Sequence, residues 1–198
     1  MPERVSVGDG LGAGQAPAVL GPQRLTGLPP LLDSRTRVLV LGSFPGQRSL
    51  AQQAYYAHPQ NQFWPLMCAI LASTPFDISS FCYQKRSEWL LSQGVGLWDV
   101  YRHCQRQGSL DSQIRQAEVN DLAGLRSACP LLQAVVHNGA ESYKHARHSQ
   151  VLGVPVYRLP STSPAHASLR FAQKLAAWQA VFSRHGLPSH DAASVPSI

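Results

Sequence analysis

A chain of 198 residues with 44% hydrophobic content suits one domain of roughly 150 residues with a substantial core, which excludes an intrinsically disordered protein. Lysine and arginine outnumber aspartate and glutamate by 17 to 11, giving a formal net charge of +6 and a pI near 9.5, so a polyanionic partner is compatible with the surface. The four cysteines, Cys68, Cys82, Cys104 and Cys129, form no Cys-x-x-Cys pair, and the eight histidines show no His-Glu-x-x-His spacing. We therefore expect no metal, no cofactor and reduced thiols packed in a core. There is neither a long apolar run nor a cationic start followed by an apolar h-region. The expectation is a soluble, cytoplasmic protein that avoids membranes and acts as a monomer.

Residues 1 to 35 are rich in Gly, Pro and Ala and read as a flexible leader that docks only near Leu25 to Leu32. The domain proper is expected over 36 to 185, with a loose tail over 186 to 198. A first buried strand, Val38 to Leu41, empties into the tight loop Gly42-Ser43-Phe44-Pro45-Gly46. A short helix over 47 to 54 follows, then a second loop at Tyr55-Tyr56-Ala57-His58-Pro59, since proline disfavours helix at the residue before it. Helical spacing of Phe63, Trp64, Met67, Ile70 and Leu71 predicts a helix over 61 to 71, and a second is expected over 86 to 94, stopped by Gly94. The second strand is placed at 95 to 100. A helix is expected over 120 to 129, capped by Asn120 and burying Leu122, Leu125 and Ala128. The third strand, 134 to 137, runs into Asn138-Gly139 and a helix through His148. The fourth, 154 to 159, opens into Pro160-Ser161-Thr162-Ser163-Pro164, and an amphipathic helix over 168 to 185 closes the chain. This alternation predicts an α/β fold, a short four-stranded parallel sheet covered on both faces in a three-layer α/β/α arrangement.

In open α/β sheets, ligands bind at the carboxyl ends of the strands, and polar residues gather at those ends here. Asp99, at the end of the second strand, either recognises a polar base edge or braces a turn. Asn61 either caps its helix or holds a water with its amide oxygen while the nitrogen braces the loop. Tyr55 and Tyr56 precede the helix and suit a stacking platform, whereas Phe63 and Trp64 belong to the core. Ser161, Thr162 and Ser163 lie between prolines, as donors to phosphates or as a rigid turn.

Six segments together resemble the uracil-DNA glycosylase superfamily, and most closely its hypoxanthine (deoxyinosine) DNA glycosylase family. They are GSFPG at 42 to 46, YYAHPQNQFW at 55 to 64, GLWDV at 96 to 100, GSLDSQI at 108 to 114, VVHNGAESY at 135 to 143 and LPSTSPAHA at 159 to 167. The resemblance spans about residues 37 to 182, and the string at 55 to 64 is its specific part. It implies an enzyme that flips a deaminated base, hypoxanthine first, out of DNA and hydrolyses its N-glycosidic bond.

By the same resemblance, Asn61 is the catalytic residue, and Tyr56 stacks on a base recognised by Asp99. Backbone donors come from Ser43 and Phe44 and from the turn at Asn138. The loop of Ser161, Thr162, Ser163, Pro164, Ala165 and His166 enters the minor groove, with Ala165 as a small wedge. Phe44 stands where many members carry Asp or Asn to position water, and the last loop lacks the catalytic histidine of the uracil enzymes; both argue against a strong uracil activity. No lysine falls in the matched loops, which implies simple hydrolysis without a Schiff base. A uracil- or mismatch-directed glycosylase, a non-catalytic reader of damaged DNA and an enzyme of free nucleotides remain alternatives.

Overall fold

Five successive buried residues, Val38 to Gly42, form the strand on which the architecture is built. Their β-branched and aliphatic side chains find apolar partners on both faces, as a central parallel strand requires. The computed structural model describes residues 24 to 73 and 77 to 187. In chain order the elements are β1 (Arg24–Thr26), β2 (Val38–Gly42), α1 (Gln47–Gln52), α2 (Phe63–Leu71) and α3 (Tyr83–Ser92). Then come β3 (Val95–Asp99), β4 (Tyr101–Gln105), β5 (Arg115–Val119), α4 (Leu125–Ala128) and β6 (Ala134–Asn138). Last are α5 (Ala140–Tyr143), α6 (Ala146–Gln150), β7 (Val156–Leu159) and α7 (Phe171–Arg184).

Four strands pair in the order β3-β2-β6-β7, all parallel. The chain leaves β2 for one neighbour, β3, and later returns to the other side as β6, so the strand order reverses at β2. At such a switch point two exit loops diverge and leave a crevice. Register fixes its level: Gly42 lies opposite Asp99, and Asn138 opposite Leu159.

Side-chain alternation sends Val38, Val40, Val95, Leu97 and Val136 to one face, where α2, α3 and α7 cover them with Phe63, Met67, Leu90, Trp178 and Phe182. Leu39, Leu41 and Val135 point the other way, against Phe44, Tyr101, Cys104, Leu125, Cys129 and Leu152. The expected three-layer α/β/α fold with a four-stranded parallel sheet is present.

The second layer is not purely helical, and here the sequence reading needs correction. A three-stranded antiparallel sheet, ordered β1-β4-β5, forms part of it. β4 begins two residues after Asp99, where Tyr101 N–H donates to Ser43 O, so the backbone passes from one sheet to the other with no intervening loop. The helix expected over 120 to 129 is only the four residues of α4. Asn120 does not cap it; its side-chain Nδ2 donates to Asp99 O at 2.8 Å and its backbone N–H to Val100 O at 2.8 Å. The helix expected through His148 is divided into α5 and α6.

Of the expected leader, residues 24 to 35 are described and packed: β1 pairs with β4, Leu28 is buried, and Leu31 bridges to Leu97. Residues 1 to 23 lie outside the described residues. Of the expected tail, Gly186 and Leu187 are described, with Leu187 buried in the core; residues 188 to 198 lie outside.

Trp178 joins the core to the site. It is fully buried, meets Phe63 edge-on at 6.4 Å, and donates from Nε1 to Pro160 O at 3.0 Å. Trp178→Ala is expected to lower the unfolding free energy by about 3–5 kcal/mol in urea titration, the range for deleting a large buried aromatic; a loss below about 1 kcal/mol would refute this placement.

Candidate functional site

At the carboxyl end of the parallel sheet, where β2 separates from its neighbours, lies a cavity of about 570 Å3. Every loop singled out in the sequence reaches it. Its lining includes Ser43, Phe44, Tyr56, Asn61, Asp99, Asn138 and all six residues from Ser161 to His166.

The floor is made by Gly42 and Asp99, paired across β2 and β3. A Cβ at Gly42 would collide with Asp99 Oδ1, so this glycine is needed to admit the carboxyl. Asp99 is 4% exposed, and its Oδ2 is buried with no hydrogen-bond partner among the described residues. Desolvation, reinforced by the nearby Asp111 and only partly opposed by Arg106, pushes its carboxyl up to about 8. Burial here thus favours the protonated form of the group.

Tyr56 forms one wall. Its ring stacks on Phe63 at 4.0 Å, and its hydroxyl accepts from Asn138 Nδ2 at 3.1 Å. The residue sits at φ 55°, a left-handed conformation that costs a bulky residue of order 1–3 kcal/mol and persists because the surroundings hold it. Those surroundings are specific: Trp64 Nε1 donates to Tyr55 O, Ala57 N–H to Ser49 Oγ, and Tyr55 OH to Pro29 O.

Asn61 lies half-buried one residue before the N-cap of α2. Its Oδ1 accepts from Phe63 N–H at 2.9 Å. This is the capping alternative, with the oxygen bracing the helix start. One lone pair of that oxygen and the amide nitrogen are left to serve the cavity.

Asn138 spends its amide internally. Nδ2 donates to Thr162 Oγ1 as well as to Tyr56, and Oδ1 accepts from Thr162 N–H at 2.9 Å. The neighbouring Gly139 N–H, expected as a donor to a base, bonds instead to His137 O and Leu159 O. Gly139 itself sits at φ 102°, and a Cβ there would press on Ser161 at 3.0 Å, so close approach of the two loops requires glycine. Thr162 is wholly buried, and Gln62 N–H donates to its carbonyl. Toward the tip, Pro164, Ala165 and His166 are exposed. The base of this loop is tied to α7, with Lys174 Nζ donating to His166 O and Trp178 to Pro160 O.

Phe44 turns its ring away from water; it is 6% exposed and lies under the Arg106 guanidinium at 5.1 Å. Arg106 is buried too and donates from Nη2 to Pro45 O at 2.5 Å. Asp111, from the turn after β4, also lines the cavity and accepts from Ser43 Oγ at 2.6 Å. Neither Arg106 nor Asp111 was assigned a role from sequence. Asp111 stood inside the matched stretch 108 to 114, and that was the one available signal.

Lys144 lies one residue beyond the matched stretch 135 to 143 and lines the cavity. Its amine is ion-paired with Glu141 at 2.5 Å, and that contact raises its pKa, so it is a charged group and not a free nucleophile. Among the described residues, no group of three or more His, Cys, Asp or Glu side chains is placed to hold a metal.

The site thus joins an aromatic wall, a buried acid, a second carboxyl beside a hydroxyl, and an exposed tip on a tied loop. The model of the uracil DNA glycosylase superfamily matches residues 29–182. A protein from Methanosarcina barkeri named hypoxanthine DNA glycosylase is 35% identical over 158 residues, covering 80% of this chain and 98% of that protein. One of the same name from Methanosarcina acetivorans is 35% identical over 160 residues, with the same coverage. A solution NMR structure from Methanosarcina acetivorans, provisionally assigned as a uracil DNA glycosylase, superposes with a TM-score of 0.71 at 33% identity, covering 83% of this chain and 99% of that one. The chain belongs to the uracil DNA glycosylase superfamily.

Proposed function

We propose that the chain is a monofunctional DNA-deoxyinosine glycosylase, which takes a flipped hypoxanthine into the cavity and hydrolyses its N-glycosidic bond to leave an abasic site. The observation that carries this reading is the buried Asp99 carboxyl on the cavity floor, whose Oδ2 has no hydrogen-bond partner among the described residues and whose desolvation favours the protonated form. A neutral acid donates from its hydroxyl and accepts at its carbonyl. Hypoxanthine presents the matching pair, a C6 carbonyl and an N1 proton. The names of the two Methanosarcina relatives support the same substrate.

Tyr56, backed by Phe63, stacks on the base. Backbone N–H groups of Ser43 and Phe44 donate to the base as it leaves with negative charge, and adenine, which presents an amino group in place of the carbonyl, would leave such donors unpaired. Asn61 orients water at C1′; an amide is too weak a base to deprotonate it, which a dissociative path tolerates. Ser163, Pro164, Ala165 and His166 enter the minor groove, while Ser161 and Thr162 anchor them. Flipping costs a few kcal/mol and is cheapest for a mispaired base, so selection begins before chemistry.

The test is a panel of duplex oligonucleotides, each with one deaminated base, scored for alkali-labile sites and for the free base. Hypoxanthine should be released with the strand otherwise intact, and Asn61→Ala should slow single-turnover release by roughly 100-fold or more. Uracil released as fast as hypoxanthine would move the assignment to any base bearing a lactam edge. Binding without release would make the chain a reader of damaged DNA.

The protonation of Asp99 has its own signature. The folded state keeps this proton up to about pH 8, whereas an ordinary aspartate releases it near 3.8, so unfolding releases a proton within that window. The Asp99 contribution to stability therefore falls as pH rises from 3.8 through about 8. Asp99→Asn should flatten that part of the urea-midpoint profile; an unchanged slope would show that the carboxyl is ionised.

A further inference from the structure

The cavity holds two carboxyls in opposite circumstances. Asp99 lies at the floor with one oxygen unpartnered. Asp111 is half-buried and accepts a 2.6 Å hydrogen bond from Ser43 Oγ. A nucleotide entering base-first would bring its base edge to the floor, leaving its sugar to the rest of the lining, to which half-buried Asn61 and Asp111 belong.

The turn carrying Asp111 is clamped to the β2 exit loop at three points. Ser43 bonds Asp111, Gln47 N–H donates to Ser109 Oγ at 3.0 Å, and Arg106 donates to Pro45 O. This clamp delivers a carboxylate to the loop in which Phe44 supplies no polar side chain.

From this geometry we infer that Asp111 faces the deoxyribose, orienting the attacking water and countering the positive charge that grows at C1′, and that Ser43 is the residue that positions it. The inference rests on the glycosylase reading of the cavity. In the step, the C1′–N9 bond breaks first with its electron pair leaving on the base, and the water that Asn61 holds then bonds to C1′. The water's proton passes to Asp111, and the departing base takes one from solvent.

Burial raises both carboxyls; on Asp111 the Ser43 hydrogen bond, Arg106 and His166 work against that rise, while Glu141 adds to it. Asp99, Tyr101, Cys104 and Lys144 complete the titratable groups that feel it. Two carboxyls whose environments drive them apart suit opposite roles, one neutral and one charged.

The experiment is single-turnover release of hypoxanthine across pH by Asp111→Asn and Ser43→Ala, with fluorescence anisotropy for binding of the inosine duplex. Asp111→Asn should lose roughly 100-fold or more in rate with binding within about threefold, and its acidic limb should vanish while the alkaline limb set by Asp99 stays. Ser43→Ala, which removes a hydrogen bond to the charged form, should shift the acidic limb to higher pH. Asp111→Asn within about threefold of the wild-type rate, with the limb unmoved, overturns the inference while the glycosylase reading stands. If Asp111→Asn does not fold, an unmoved limb in Ser43→Ala overturns it equally. Wild-type protein that releases no base from any duplex overturns both.

Discussion

The contact between Gly42 and Asp99 is the constraint on which the site depends. Two parallel strands end side by side, one residue without a Cβ and the other with a carboxyl laid into the space. Because both residues are locked into sheet pairing, the carboxyl cannot retreat to water, and solvation cannot relieve its burial. The cavity floor is therefore an acid whose charged form the fold disfavours, made from the paired ends of two sheet strands.

Around that floor the walls come from three layers and are stitched by hydrogen bonds between loops. Tyr56 OH, Asn138 Nδ2 and Thr162 Oγ1 connect the α2 entry, the β6 exit and the β7 exit. On the opposite side, Phe44 seats Arg106, and Arg106 holds the Pro45 carbonyl. An aromatic at position 44 thus changes the division of labour: the β2 exit loop supports a buried cation, and a carboxylate arrives from the turn after β4.

Much of this was legible in the sequence. The parallel strands announced themselves as short apolar runs ending in glycine or polar residues, and α2 and α7 by their helical spacing. Six matched segments brought Tyr56, Asn61, Asp99 and Asn138 to one mouth. What escaped was polar structure without a period. β5 buries almost nothing, β1 is three residues long, and β4 follows β3 without a turn signal. Asn120 resembled a helix cap because caps and strand-junction clamps use the same side-chain chemistry. The choice between the two roles weighed for Asn61 was likewise hidden, since an amide offers a donor and an acceptor and only coordinates say which end is used.

The loop from Pro160 to His166 is tied at Pro160 by Trp178, at Thr162 by Asn138 and Gln62, and at His166 by Lys174, leaving little besides its tip unbound. A segment fastened so often has surrendered most of its conformational entropy during folding, so very little remains to be lost when a ligand immobilises it. It meets a partner as a stiff hook, and any deformation needed for a fit must be borne by the partner.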